Sequence, residues 1–262
     1  YGHFIELNNF QLRTESLPVL PAGSPDFRIL HISDMHMIPG QQKKIDFMHS
    51  LAALEPDLVM NTGDNLSHVD GMGPLLEALD PLMDFPGVFV PGSNCYFAPV
   101  FKNPARYLWQ PRTPQMIEEG SRVALPIERM HEAFESRGWT GLVNRYDTLN
   151  LKGLRLEFSG VDDPHLRYDE HPGFAPGAFD EGQEPSVRIG VAHAPYMRTL
   201  YRFVQDGAQA IFAGHTHGGQ VCLPGGHALV SNCDLPPSRA KGVSEQSGIP
   251  VQVSAGLGTS RF

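Results

Sequence analysis

The chain opens with short apolar runs separated by segments whose apolar residues recur at helical spacing. Arg28–Ser33 is one such run and ends at Asp34, the pattern of a buried strand. From Gln41 to Leu54, Ile45, Phe47, Met48, Leu51 and Leu54 fall near a 3.6-residue period, which predicts a helix stopped by Pro56. Asp57–Thr62 reads as a second strand and leads into Gly63-Asp64-Asn65. Gly73–Met83 predicts a helix ending around Pro86, and Gly87–Val90 a third strand that leads into Gly92-Ser93-Asn94-Cys95. Strand, helix, strand, helix, strand at this spacing implies a parallel α/β unit.

The pattern breaks between Ala98 and Pro126, where prolines, Lys102, Arg106, Tyr107, Trp109 and Arg112 show no period. A long irregular stretch inside a domain is usually functional or disordered, so 98–126 is expected as an insertion near the active site. Beyond it, Ile127–Arg137 predicts a helix, and Tyr146–Leu151 with Leu154–Phe158 a hairpin turning at Lys152-Gly153. Val187–Ala192 and Ala208–Ala213 read as strands either side of a helix at Tyr196–Gln205. Gln220–Leu223 with Ala228–Ser231 suggests a hairpin, and Val251–Ser254 a last strand. The economical architecture is two packed sheets with helices outside, formed by residues 27–262 behind an extended lead-in at 1–26.

Composition narrows the function. At 262 residues and 41% apolar, the chain can bury a sizeable core as roughly one large domain. The formal net charge is −9, with no basic run, which argues against a nucleic-acid surface. No run of about 18 apolar residues exists to span a membrane. The three cysteines build no disulfide framework; Cys222 and Cys233 flank a turn, as one bridge or as two reduced thiols. Twelve histidines beside an acidic balance make nitrogen and oxygen metal coordination the chemistry to test.

Asp34, Asp64, Asn94, His193 and His215 each stand at or just past the C-terminal end of a predicted strand, the edge where open α/β sheets bind ligands. Asp34-Met35-His36 and His215-Thr216-His217 put two ligand types on one side of an extended segment. Gly63 and Gly214 precede Asp64 and His215 and let the backbone turn sharply there. His31 sits within a strand and reads as core. His3, His49, His131, His171 and His227 read as surface residues, and Asp169-Glu170 as solvating charge.

Ser33-Asp34-Met35-His36, Thr62-Gly63-Asp64-Asn65, Ala192-His193-Ala194-Pro195 and Gly214-His215-Thr216-His217-Gly218-Gly219-Gln220 resemble the motifs of the calcineurin-like metallophosphoesterase superfamily, over about Phe27 to Ser260. The last motif, with Gly160-Val161-Asp162-Asp163-Pro164, is similar to the bacterial branch often attached to or exported across a membrane. The resemblance implies an α/β fold: a four-layer α/β/β/α sandwich of two packed mixed sheets with flanking helices. It implies two divalent metal ions, Mn, Zn or Fe. Asp34, His36, Asp64 and His217 would hold one, and Asp64, Asn94, His193 and His215 the other. It implies hydrolysis of a phosphate mono- or diester by hydroxide bridging the metals. Two ions against the Asp34 and Asp64 carboxylates and that hydroxide leave the site positive, even on an acidic chain.

The chain departs from the family at Gly92-Ser93-Asn94-Cys95, where Gly-Asn-His-Asp/Glu is usual. Counting from Pro86-Gly87-Val88 puts Asn94 on the ligand position and Cys95 on the catalytic histidine. That leaves His68 and His165 as proton-donor candidates, with Asn65 as a phosphate contact. The alternative function is a fold-sharing binding or interaction protein with weak or no turnover. The expected partner is a phosphoester, lipid-linked or envelope-derived, and no nucleic acid. A membrane-associated or extracytoplasmic location is expected from the branch resemblance and Tyr107-Leu108-Trp109. The sequence begins Tyr1-Gly2-His3-Phe4 without an initiator Met, so it is expected to start inside a longer precursor, whose signal or anchor, if any, it does not show.

Overall fold

In the computed structural model, residues 9–99, 122–175, 186–219, 221–223 and 227–258 are described. The first sheet is wholly parallel, in the order β1 (Ile29–Ile32), β2 (Leu58–Asn61), β3 (Gly87–Phe89), β4 (Thr140–Gly141), with Ile29 opposite Leu58 and Val59 opposite Gly87. Parallel neighbours need long crossovers. These carry the helices α1 (Gln42–Ser50), α2 (Met72–Leu79), the short α3 (Ser93–Tyr96) and α4 (Ile127–Ser136). The predicted helix at Gln41–Leu54 tightens into a 3-10 turn at Leu51–Leu54 before Pro56.

The second sheet holds the mixed pairing. Its strands are β5 (Arg145–Leu151), β6 (Leu154–Gly160), β7 (Ser186–Val191), β8 (Ala210–Ala213), β11 (Gly242–Gln246) and β12 (Ile249–Val253), ordered β11-β12-β8-β7-β6-β5. Helix α5 (Met197–Gln205) connects β7 to β8, and β9 (Val221–Leu223) pairs with β10 (His227–Val230) outside both sheets. The four central strands are parallel and both edges are antiparallel. Lys152-Gly153 turns the β5–β6 hairpin with both residues at positive φ, as a two-residue hairpin turn of the right twist requires. Ser247-Gly248 does the same between β11 and β12. β11 escapes the sequence reading because Val243-Ser244-Glu245 is mostly polar and only its Ser-Gly turn betrays it.

Alternation along the strands makes three apolar interfaces. Leu58, Met60, Val88 and Val90 of the first sheet meet Leu156, Phe158, Ile189 and Phe212 of the second. The opposite face of the first sheet (Leu30, Ile32, Val59, Phe89) packs on Ile45, Met48, Leu75, Leu79, Met130 and Phe134 of its helices. Ile211, Val251 and Val253 receive Leu200 and Phe203 of α5. The result is four layers, α/β/β/α. Each such side chain contributes about 1.5–3 kcal/mol by burial.

Residues 9–28, before β1, have neither strand nor helix, yet Leu17, Val19, Leu20 and Phe27 pack against the inter-sheet core and Phe10 stacks on Phe47 at 5.2 Å. His131 and His171 are half-buried rather than surface residues, each ring 5.1 Å from an aromatic partner, Phe89 and Phe203. Asp169 is likewise not a solvating charge: its buried carboxylate grips the Arg198 guanidinium with two oxygens. The apolar-aromatic stretch at 107–109, the body of the 98–126 insertion, His3 and the side chains of Cys222 and His227 lie outside the described residues, and so does the question of a Cys222–Cys233 bridge. Among the described residues no helix is long and apolar enough to cross a membrane.

Candidate metal centre

Both sheets send the C-terminal ends of their parallel strands to one side, and the loops there carry the acid and imidazole groups. β1 leads to Asp34 and His36, β2 to Asp64, β3 to Asn94, β7 to His193, and β8 to His215 and His217. Backbone bonds extend each ladder past its last strand residue: Asp34 N–H donates to the Gly63 carbonyl (2.8 Å), His36 N–H to Asp64 (2.9 Å), and Gly214 N–H to His193 (2.8 Å). Two bonds tie the sheets together at the site. The His215 N–H donates to Asp34 Oδ2 (2.9 Å), and His193 Nδ1 donates to the Thr62 carbonyl (2.7 Å). The second fixes the His193 tautomer and turns Nε2 inward as an acceptor.

Glycine is required where these loops converge. A Cβ on Gly92 would sit 2.6 Å from the His193 ring, and one on Gly214 would sit 2.6 Å from Asp34 Oδ2. Asp34, His36, Asp64, His215 and His217 themselves adopt positive φ, between 46° and 71°. L residues avoid this left-handed region, and strain of this kind persists where the surroundings over-determine it, often at functional sites.

The side chains form two clusters of three. Asp34, His36 and His217 bring one ligand atom each within 4.8 Å of one another, and Asp64, His193 and His215 do the same. In the first, Asp34 Oδ1 lies 4.0 Å from His36 Nε2 and 3.5 Å from His217 Nε2, and the two Nε2 atoms are 3.2 Å apart. A point equidistant from all three is about 2.1 Å from each, the bond length of zinc to imidazole nitrogen or carboxylate oxygen. In the second, Asp64 Oδ2 is 3.3 Å from His193 Nε2 and also 3.8 Å from His36 Nε2, so this one oxygen borders both clusters. Asn94 closes on it, its backbone N–H donating to Asp64 Oδ1 (2.7 Å) and its Nδ2 to Oδ2 (2.8 Å).

Asp34 Oδ1 and His193 Nε2 are buried without a hydrogen-bond partner. Such atoms are rare; one stands in each cluster, where a cation would satisfy it. The donor set is carboxylate and imidazole without thiolate, which suits Zn, Mn or Fe. The residues present therefore fit a pair of divalent ions.

Electrostatics follow from burial and crowding. Burial drives the His36 imidazole down to about 4, against the pull of Asp64. Burial with His165 and His193 nearby holds His215 well below its ordinary value. Burial would lower His193 too, but the Asp64 carboxylate outweighs it and lifts His193 to about 10. Burial in turn would raise Asp64, but His193, His36 and His215 keep it well below the usual carboxylate range. His36 and His215 are thereby held neutral and Asp64 ionised, the states in which they can ligate a cation, whereas His193 has to give up a proton to do so.

The rim sorts the remaining candidates. His165 lies beside the second cluster, its ring 4.9 Å from His215 and its Nδ1 2.9 Å from the Tyr196 hydroxyl. It is held by Asp163, whose buried oxygens accept the His165 and Leu166 N–H groups (3.1 Å each) and whose carboxyl burial lifts to about 7. His68 is half-exposed and turned to Asp70, accepting its N–H at 3.1 Å, because it caps the 3-10 turn before α2; this takes its imidazole out of the proton-donor reading. Asn65 is fully buried, with Nδ2 on Cys95 Sγ at 3.8 Å and Oδ1 without a hydrogen-bond partner. Cys95 is fully buried as well, its thiol pushed up to about 12 by burial, and is no proton donor.

Sequence reasoning misses the residues that hold the ligands. Ser33 Oγ donates to Asp34 Oδ2 (2.5 Å), Ser67 Oγ pairs with His36 Nδ1 (2.9 Å), and buried Lys44 Nζ donates to the Met35 carbonyl between the two ligands (2.5 Å). Asn232 stands 3.3 Å from His215 Nε2 through its carbonyl. Only the serines carry a signal, as neighbours of motif residues.

The chain is 26% identical over 213 residues, covering 80% of it and 69% of the relative, to the uncharacterized protein YpbG of Bacillus subtilis (strain 168). In structure it is similar to TT1561 of Thermus thermophilus, at 11% identity and a TM-score of 0.44 over 88% of this chain and 91% of that one. It is also similar to GAP50, the anchor in the inner membrane complex of Plasmodium, at 11% identity and a TM-score of 0.42 over 90% and 72% of the two chains. The model of the calcineurin-like phosphoesterase family matches residues 27–219, the span that runs from β1 through every residue of both clusters, and the chain belongs to that family.

Proposed function

We propose that the chain is a binuclear metal-dependent phosphoesterase that hydrolyses a phosphate mono- or diester. The observation that carries this reading is the pair of three-residue clusters sharing the border of Asp64 Oδ2, with Asp34 Oδ1 and His193 Nε2 buried and unpaired, one in each. Asp34, His36, His217 and Asp64 would hold one ion, and Asp64, Asn94, His193 and His215 the other. When bound, two divalent ions supply an activated water and offset the charge on the phosphoryl oxygens. The chain's part is positional. Asn94 and the Thr62 carbonyl fix Asp64 and His193, and Ser67 fixes His36, before any substrate arrives. His165, oriented through Nδ1 by Tyr196, is the group placed to give a proton to the leaving oxygen where the family histidine is replaced by Cys95. Substrate presented at a membrane, lipid-linked or envelope-derived, is part of the proposal, supported by the Gly214–Gln220 motif; liposome flotation of the chain tests it.

The central experiment measures metal content and turnover of p-nitrophenyl phosphate and bis(p-nitrophenyl) phosphate with Mn²⁺. Two metals per chain and metal-dependent turnover are expected, with turnover lost in Asp64→Asn. Equal activity in that variant would remove the assigned centre.

A further inference from the structure

Arg198, beside the rim, is occupied by Asp169. Arg122, half-buried, lies over the Phe97 ring with its guanidinium 5.4 Å from the centroid, and no carboxylate among the described residues pairs with it. Desolvation lowers its pKa, while Tyr168 and Asp163 are near enough for their charges to act on it. It stands on a pre-formed rim. Beside it the isolated bridge of Phe97 with Ala124 is tied by Ala98 N–H to the Val123 carbonyl (2.8 Å) and Leu125 N–H to the Tyr96 carbonyl (2.8 Å), with Phe97 three residues beyond Asn94. The Tyr96 hydroxyl donates to Asp162 (2.7 Å), and its ring meets Tyr168 edge-on at 5.5 Å. Asn144 pins the same loop, donating to the Tyr168 carbonyl (2.9 Å) and accepting from Asp162 N–H (2.7 Å).

A stacked guanidinium keeps its donor fork free for an oxygen anion, and a half-desolvated one gains most from such a partner. Asp163 acts on that cation from a distance but makes no ion pair with it among the described residues, so its donors stay open to an anion. Resting on the phosphoesterase reading, we propose that Arg122, stacked on Phe97, is a specificity residue that binds a second anionic group of the substrate. The preferred substrates are then phosphoesters carrying a further carboxylate or phosphate a few bonds from the scissile phosphate.

The test compares 3-phosphoglycerate with glycerol 3-phosphate, which differ by that carboxylate, on the metal-loaded full chain. Wild type is expected to favour 3-phosphoglycerate in kcat/KM. In Arg122→Gln the ratio of the two kcat/KM values is expected to fall about tenfold or more, with Arg122→Lys between, since the charge survives without the fork. A merely structural role moves both substrates together, so an unchanged ratio in Arg122→Gln overturns the proposal. If wild type turns over neither ester, calorimetric binding of the same two compounds decides, while the phosphoesterase reading stands or falls on the nitrophenyl mono- and diester. Tighter binding of 3-phosphoglycerate that disappears in Arg122→Gln supports the anion site, and equal or absent binding overturns it.

Discussion

Asn94 holds Asp64 twice, donating from its backbone N–H to Oδ1 at 2.7 Å and from Nδ2 to Oδ2 at 2.8 Å. Oδ2 is also the oxygen that borders both clusters. Asn94→Ala removes one donor and one candidate ligand while the backbone bond stays. Outer-shell and ligand losses of this kind typically reduce metal affinity or activity about 10–100-fold. The expected outcome is a tenfold or greater loss of Mn²⁺-dependent turnover, with metal content falling toward one ion per chain. Elemental analysis beside p-nitrophenyl phosphate kinetics reads both, and full metal occupancy in the variant would take Asn94 out of the ligand set.

Metal removal should loosen the fold, because the site concentrates unpaired polar atoms and left-handed residues. Asp34 Oδ1 and His193 Nε2 have no hydrogen-bond partner, and Asp34, His36, Asp64, His215 and His217 all lie at positive φ. An ion present at about 100 times its Kd adds about 2.7 kcal/mol to the folded state. For a chain of this size that corresponds to about 5–10 °C in Tm. Differential scanning calorimetry with and without EDTA, followed by Mn²⁺ re-addition, checks it. An EDTA-independent Tm would mean the clusters are stable without ions.

Much of this was readable in the residues themselves. Every strand end that carries a ligand follows an apolar run stopped by Gly, Asp or His, so chemistry and element boundary share one signal. What stayed hidden depends on contacts distant in sequence. Asn65 reads as a substrate contact from its place beside Asp64, but its Nδ2 lies on Cys95 Sγ, 30 residues away. His68 looks like a spare base until its role as a turn cap is seen. Arg122 carries no motif at all, and only its stacking on Phe97 marks it. Two packed sheets with helices outside followed from the order of apolar runs and helical periods, while β4 and β11 did not, since two residues in one and polar residues in the other leave no apolar period.

The strand histidine His31 gives the fold an acid-sensitive point that is independent of the ions. Its Nε2 pairs with Thr62 Oγ1 at 2.9 Å, its Nδ1 is buried without a partner, and its ring meets Phe212 edge-on at 5.4 Å. Burial lowers its pKa to about 4, Asp34 opposing only in part. The unfolded chain therefore takes up a proton that the folded chain refuses between pH 6.5 and about 4. The stabilisation is complete above pH 6.5 and is lost as the pH falls through that window, by no more than about 3 kcal/mol. His36 is lowered to the same value and His215 is lowered too, so in urea unfolding of the EDTA-treated chain at pH 7 and pH 4.5 His31→Gln should remove only its own share of the loss. The same acid loss in both proteins would assign the effect to other groups.

The proton donor is the part of the chemistry for which the chain has no family residue in place, and the structure separates the two histidines offered for it. His165 stands 4.9 Å from the His215 ring with Nδ1 on the Tyr196 hydroxyl, whereas His68 is half-exposed and bonded to Asp70. To act as the acid His165 must be the imidazolium, in which Nδ1–H donates to the Tyr196 oxygen and the Nε2 proton is the one given to the leaving oxygen. A general acid matters in proportion to how poor the leaving group is. His165→Ala should therefore slow hydrolysis of an alkyl phosphate by about 10²-fold or more while affecting the nitrophenyl ester, which needs little protonation, far less. Tyr196→Phe should move the same ratio in the same direction by a smaller factor, because the ring loses its orientation but keeps its proton. His68→Ala should leave the ratio where it is. The decisive quantity is the rate ratio of ethyl to nitrophenyl phosphate in the three variants. A ratio unmoved by His165→Ala would show that departure proceeds without this imidazole.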